Sequence, residues 1–394
     1  MKAVILAAGE GRRLRPFTET KPKVMLPVAN KPILGYVVDA AAKNGIDEII
    51  LVVGYRKEAI MDYFKDYNEV PITYIIQDKQ LGTAHALYQT KDHIDDSFLV
   101  LPGDNLIDGR DVAQLIQKKA TYAVMIKEHN QPSKYGMVSI KEGLLDQFIE
   151  KSKEEHSHLI STGIYKFPPT VFKEIKQLIS QGDYTLSSVI QSLIEQKQEI
   201  QTIQAELWRD VIYPWDLLDI NDVMLKTIPS SIHGTVEKSV TIKGPVYIGE
   251  QTQIHAGTYI IGPVVIGKHC EIGPNVCIFP STTIGDNTIV KPFSEIRNSV
   301  LMNDIQIGSN TFISHSIIGT GSILHHGAST IVGPTKRYHG HEMISIKDIG
   351  AMIAEDTTIQ SHVITHPGII IGRHCDIHPM KQIREDIASE TKVM

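Results

Sequence analysis

The chain has 394 residues, of which 42% are apolar and 21% charged, the balance of a folded soluble protein long enough for two cores. A formal charge of −6 argues against nucleic acid or an anionic membrane as partner, since both favour basic surfaces. No apolar run reaches the length of a membrane span, no signal-peptide pattern precedes the first strand, and the three cysteines lack a metal spacing. A cytoplasmic protein with free thiols is expected.

The first predicted element is an apolar strand, Ala3-Val4-Ile5-Leu6, which breaks into Gly9 and Gly11 and then Arg12, Arg13, Arg15, Lys21 and Lys23. Glycines at a strand end let a backbone approach a ligand closely, and their N–H groups with cationic side chains behind them suit a polyphosphate. Two familiar phosphate fingerprints are absent. Leu14 stands where G-x-G-x-x-G needs its third glycine, and no G-x-x-x-x-G-K-[ST] occurs.

Next come a helix opened by Asn30-Lys31-Pro32 and stopped at Asn44-Gly45, a strand at 48–53, a helix at 57–67, a strand at 72–76, a helix at 84–90 and a strand at 98–101. This alternation predicts an α/β domain whose parallel sheet is covered on both faces, with ligands at the carboxyl ends of the strands. Two polar clusters fall at such ends. Gln77 to Thr83, with Gln80 and Gly82, offers amides and a helix N-terminus, though a capped helix explains it equally. Pro102-Gly103-Asp104-Asn105 offers a carboxylate suited to Mg²⁺, or a turn aspartate. Short strands between 121 and 167 predict an added β-layer over the sheet. Helices at 170–179 and 186–198 follow, then Trp208-Arg209-Asp210 and a helix led by Asp216.

Residues 227–234 read as a linker. Beyond it, every sixth residue from Ile242 to Ile296 is Ile or Val, and a second run covers Ile353, Ile359, Thr365, Ile371 and Ile377. Three such units make one turn of a triangular coil with the aliphatics stacked inside. Met302 is expected in this register, with the phase slipping after it. Residues 335–347 are expected to leave the coil as a loop, and the polar tail after Pro379 to form a short helix.

Residues 6–14, LAAGEGRRL, and 21–27, KPKVMLP, resemble the signature of the sugar-1-phosphate nucleotidylyltransferases, and later motifs recur in order through residue 226. The resemblance implies a Rossmann-like nucleotidyltransferase domain at 1–226, followed by a left-handed parallel β-helix of hexapeptide repeats at 235–394. It implies that nucleoside triphosphate (UTP or dTTP) and sugar 1-phosphate (glucose 1-phosphate or N-acetylglucosamine 1-phosphate) give nucleotide-sugar and pyrophosphate, with Mg²⁺ held by Asp104 and Asp210. Arg13 and Lys23 would handle the phosphates. Leu6, Ala7, Ala8, Gly9, Gly11, Gln77, Gln80, Gly82 and Thr83 would hold the nucleotide. Gly136 of Tyr135-Gly136, Glu150, Lys151 and Thr162 would hold the sugar phosphate. The family proline after Glu150-Lys151 is Ser152 here, and its asparagine before Thr162 is Ser161.

The joined architecture resembles archaeal-type bifunctional nucleotidylyltransferase/acetyltransferases, in which His315 would be the base for transfer from acetyl-CoA. An oligomerising or regulatory coil, with the chain assembled as a trimer or another homo-oligomer, is the preferred expectation. The alternative from another class is a non-catalytic regulatory or binding subunit of the same fold. The presence of Arg13, Lys23, Asp104, Lys151 and Asp210 argues against it.

Overall fold

A computed structural model describes residues 1–150, 157–339 and 342–394. These form two compact units: Met1–Gly11, Thr20–Leu26 and Pro32–Asp210 in one, and Arg12–Glu19, Pro27–Lys31 and Val211–Met394 in the other.

The first unit alternates strands and helices from its start. They are β1 (Lys2–Ala7), α1 (Ile33–Ala42), β2 (Glu48–Val53), α2 (Lys57–Tyr63), β3 (Ile72–Ile76), α3 (Thr83–Tyr88), β4 (Phe98–Pro102), β5 (Asn105–Ile107) and α4 (Gly109–Gln117). Then come β6 (Tyr122–Glu128), β7 (Gly136–Lys141), β8 (Leu144–Glu150), β9 (Leu159–Phe167), α5 (Val171–Ser180), α6 (Leu186–Glu195), β10 (Ile200–Gln204) and β11 (Trp208–Asp210).

Nine strands make one sheet in the order β3-β2-β1-β4-β9-β6-β10-β8-β7. The first four run parallel, and β9 joins antiparallel to β4. The strands expected as a layer over the sheet therefore extend it sideways instead. Their backbone groups continue the ladder, which satisfies them better than stacking on a face already covered by helices. Alternate residues of each central strand supply two separate cores. Ile5, Leu51 and Leu101 pack with α1, α2 and α4, whereas Val4, Val52 and Val100 pack with α3, α5 and α6. This double burial leaves only the strand ends for polar ligands.

The second unit is a parallel β-helix of three long sheets holding eight, nine and eight short strands, the arrangement of a left-handed hexapeptide coil. Ile248, Ile254, Ile260, Ile266, Ile272, Ile278, Ile284, Val290 and Ile296 all point inward and are fully buried. Strand partners lie 18 residues apart through Ile278↔Ile296, then 17 apart at Thr283↔Val300. The phase slip thus comes one side earlier than expected: Leu301 takes the interior position and Met302 is a buried neighbour.

Each turn bends at residues in the left-handed region. One corner column runs His269, Asn287, Asp304, Gly321, Asp356 and His374; another includes Ser281, Asn298 and His315. Asn, Asp and Gly tolerate this backbone best, so the corner chemistry is written in the sequence. The tail also differs from the expected helix. Gln382–Ile383 and Lys392–Val393 add two more parallel strands, because Ile383 and Val393 continue the interior pattern. The expected loop is a hairpin of Gly333–His339 against Glu342–Ile349. The coil also starts inside the expected linker, where Ser231–Ile232 pairs with Tyr247 and Ile248.

Helix α7 (Asp216–Leu225) packs in this second unit. Asp216 is its first residue, and its Oδ2 accepts from the N–H groups of Ile212 and Tyr213, each at 2.8 Å. From the middle of α7, fully buried Asn221 ties three chain segments together. Its Oδ1 accepts from Ala29 N–H (2.9 Å) and from the Thr283 hydroxyl (2.7 Å), and its Nδ2 donates to the Ser281 carbonyl (3.1 Å). Replacing Asn221 by Ala strands these partners away from water. A loss of about 2–4 kcal/mol is expected, read as a lower thermal midpoint of the coil unit. Asn221→Asp, which restores the acceptor and not the donor, should recover only part of it.

Candidate active site

The parallel strands end on one edge of the first unit, and the signature segments at residues 6–11 and 21–26 belong to that unit. β1 runs into Gly9–Gly11. The Leu6 carbonyl accepts from Gly103 N–H (3.0 Å) and the Ala8 carbonyl from Tyr55 N–H (3.1 Å), so Leu6, Ala7 and Ala8 lock the end of β1 to its neighbours. Gly9 is exposed with open space where a side chain would stand.

Gly11 is needed for a different reason. Its φ of +81° disfavours any side chain, and a Cβ there would lie 2.5 Å from Lys23 Cβ. The Lys23 backbone N–H donates to the Glu10 carbonyl at 3.1 Å, which closes the two ends of the signature on each other. Lys23 opens a short 3₁₀ turn, Lys23–Met25.

Its ammonium is the centre of the site. Lys23 Nζ donates to Asp104 Oδ2 and to Asp210 Oδ1, both at 2.7 Å. Burial opposes the charged form, yet Asp104 and Asp210 more than offset it and hold the Lys23 pKa well above the ordinary lysine value. Lys23 therefore stays an ammonium across the neutral range. Two carboxylates 106 positions apart meet here because β11 pairs antiparallel with β5, setting Asp210 opposite Asn105, the residue after Asp104. Trp208 anchors β11: its ring N–H donates to the Thr162 carbonyl (3.1 Å), and its ring meets Tyr135 edge-on at 5.1 Å.

The other expected residues separate into those brought together and those not. Gly136 and Glu150 are register partners on β7 and β8, and a Cβ at Gly136 would sit 3.2 Å from Glu150 Oε2 and 2.3 Å from Phe148 Cζ. Glu150 also accepts from the Ser187 hydroxyl at 2.7 Å. Gln77 is buried, and its Nε2 contacts the Gly82 carbonyl (3.2 Å) and His85 Nδ1 (2.9 Å), bracing the start of α3. Thr83 is exposed, and its hydroxyl oxygen accepts from Leu186 N–H; exposed Gln80 carries its amide against Gly54. Thr162 is buried with its hydroxyl donated to the Met125 carbonyl (2.9 Å), so it supports Trp208 through its own carbonyl. Arg13 is exposed and belongs to Arg12–Glu19, the segment that packs in the second unit. Lys151 lies outside the described residues.

Among the described residues no three metal-ligating side chains converge. Asp104 and Asp210 nonetheless fit Mg²⁺, which takes one or two carboxylates and completes its shell from substrate phosphates and water. Both already share one cation, Lys23. His129, not singled out from sequence, packs edge-on against Tyr135 (4.8 Å) beside Trp208, and burial holds its pKa down. Its isolation from any motif explains why sequence reading passes it over.

In the second unit His315 occupies a coil corner at φ +48°. Its Nδ1 lies 2.9 Å from the Ser314 hydroxyl, and burial lowers its pKa.

Comparison with known proteins gives a consistent result. The nucleotidyl transferase profile matches residues 2–227, and the GMPPB C-terminal domain profile matches residues 260–393. The chain is 36% identical over 405 residues to the bifunctional protein GlmU of Methanocaldococcus jannaschii, covering all of this chain and 97% of that one. It is 32% identical over 403 residues to a bifunctional sugar-1-phosphate nucleotidylyltransferase/acetyltransferase of Sulfurisphaera tokodaii, covering 98% of each. Over 226 residues it is 40% identical to UTP–glucose-1-phosphate uridylyltransferase AglF of Haloferax volcanii, covering 55% of this chain and 93% of that one.

Gly11→Ala tests the site geometry. The added methyl strains the backbone and displaces Lys23 while leaving every charge in place, so turnover should fall by about tenfold or more, with a modest drop in the thermal midpoint. A fully active variant would contradict the close approach.

Proposed function

The chain belongs to the nucleotidyl transferase family, and on that premise we propose that it transfers the nucleoside monophosphate of UTP or dTTP to glucose 1-phosphate or N-acetylglucosamine 1-phosphate. The observation that carries the proposal is the single ammonium of Lys23 held between Asp104 and Asp210.

The reaction needs little covalent help. A phosphate oxygen of the sugar 1-phosphate attacks the α-phosphorus, the bond to the β-phosphate's bridging oxygen breaks, and pyrophosphate leaves. The nucleophile is already an anion, so no general base is required. The work lies in aligning two anions and offsetting their charge. Lys23, permanently cationic, meets the reacting phosphate. The N–H groups around Gly9 and Gly11, with Arg13 two residues on, hold the β- and γ-phosphates. Gln77, Gln80, Gly82 and Thr83 hold the base. Gly136, Glu150 and Lys151 hold the sugar phosphate, with Thr162 fixing the Trp208 wall beside them. Asp104 and Asp210 would hold Mg²⁺, which supplies Lewis-acid charge neutralisation when bound.

Purified protein with Mg²⁺, a panel of triphosphates and sugar 1-phosphates, and pyrophosphate detection tests this reading. Turnover with UTP or dTTP is expected, and Lys23→Ala should lower it by about a hundredfold or more. Absence of turnover with every pair would end the proposal.

For the coil, we propose a role in homo-oligomer assembly, a trimer in the simplest case. A second reading, transfer from acetyl-CoA to a sugar amine, is supported by the half-buried imidazole of His315 against Ser314. Its lowered pKa means that the basic, neutral ring persists through neutral pH and is lost only on acidification below the ordinary imidazole range. Acetyl transfer to glucosamine 1-phosphate should then be flat across neutral pH, fall in acid, and vanish in His315→Ala. Unchanged acetylation by that variant would remove His315 from the role.

A further inference from the structure

β11 is three residues long, pairs with one neighbour, and yet must present Asp210 within hydrogen-bond distance of Lys23. The turn that feeds it is held with unusual thoroughness. Two side chains of opposite charge grip consecutive backbone groups of residues 205–207. From α4, Asp111 accepts from Glu206 N–H through Oδ1 (2.8 Å) and from Leu207 N–H through Oδ2 (3.2 Å). From β6, Lys127 Nζ donates to the carbonyls of Ala205 (2.8 Å) and Glu206 (2.7 Å). Ala205 N–H donates to the Ile126 carbonyl (2.9 Å), which ties the turn's start to β6 as well.

Asp111 is only 1% exposed, and a buried carboxylate without strong partners is costly. Burial pushes its pKa up while the two N–H groups draw it back. Two N–H groups and two carbonyls of residues 205–207 are thus satisfied by side chains, where a plain turn would leave them to water.

We propose that Asp111 and Lys127 are positioning residues for Asp210: by fixing residues 205–207 from two elements they set where the Asp210 carboxylate stands. This rests on the reading of Asp210 as a cation-holding site carboxylate. Neither residue touches the reacting groups. Trp208 holds β11 by its ring, whereas Asp111 and Lys127 fix the direction from which β11 enters.

The test uses the full chain with Asp111→Asn and Lys127→Met, and Lys127→Arg as the conservative variant. Mn²⁺ binding, alone and with a non-hydrolysable UTP analogue, is measured by calorimetry or electron paramagnetic resonance, beside amide exchange over residues 206–210 and thermal midpoints. Both disruptive variants should bind Mn²⁺ about tenfold more weakly, the size expected when a group orienting a ligand is removed. Exchange at residues 206–210 should speed up while the rest of the unit stays protected, and Lys127→Arg should recover most of the affinity. Mn²⁺ affinities within twofold of wild type in both variants, or weakening accompanied by exchange rising throughout the unit, would overturn the positioning role. A wild-type chain that binds no Mn²⁺ even with the UTP analogue would instead overturn the cation reading of Asp210, and this inference with it.

Discussion

A lysine ammonium shared by two aspartates governs the first unit. Burying Lys23 alone would be prohibitive, and two carboxylates meeting without a cation would repel. The trio is stable only as a trio, and much of the nearby structure serves to assemble it. Gly11 gives up a side chain so that the lysine arm can pass. The β5–β11 pair brings the distant aspartate into register beside the near one. Removing one member should cost less than the ~3–5 kcal/mol of a fully buried pair, because Asp104 is 38% exposed and water screens what is left. In the nucleotidyl transferase reading, the same electrostatic demand serves catalysis: a place that holds one cation between two carboxylates is prepared for more positive charge when phosphates arrive.

The alternating half of the fold was legible because its strands are buried on both faces and read as unbroken apolar runs, as in 48–53 and 98–101. For the later strands the sequence marks the extended residues but not their place in the sheet. Strand pattern states which residues are extended, not which ladder they join. Helix α4 has little signal in the sequence, since its apolar residues Val112, Ala113, Leu115 and Ile116 lie amid polar ones and a leading glycine. Asp104 and Asp210 could be paired only through resemblance to a family; no spacing rule spans 106 residues. Asp111 and Lys127 carry no motif, because their partners are backbone groups that any sequence at 205–207 would supply.

The coil shows the opposite balance. Its sixfold period specifies an interior stack so strongly that the register slip at Leu301 is absorbed by one short side. Many surface polar residues that look unassigned in sequence are corner residues. His269, His315 and His374 stand in columns of positive φ beside Asn, Asp and Gly, so a geometric demand accounts for their places at the corners. In the tail the interior positions, Ile383 and Val393, are too few to reveal the period, so the sequence there does not signal a strand.

The central claim is that Asp104 and Asp210 act as one unit through Lys23. A double-mutant cycle in pyrophosphate release, with Asp104→Asn, Asp210→Asn and the pair together, tests it most directly. The account predicts strong non-additivity, the double variant losing little more than the worse single one. Losses that multiply would show two independent carboxylates and contradict it.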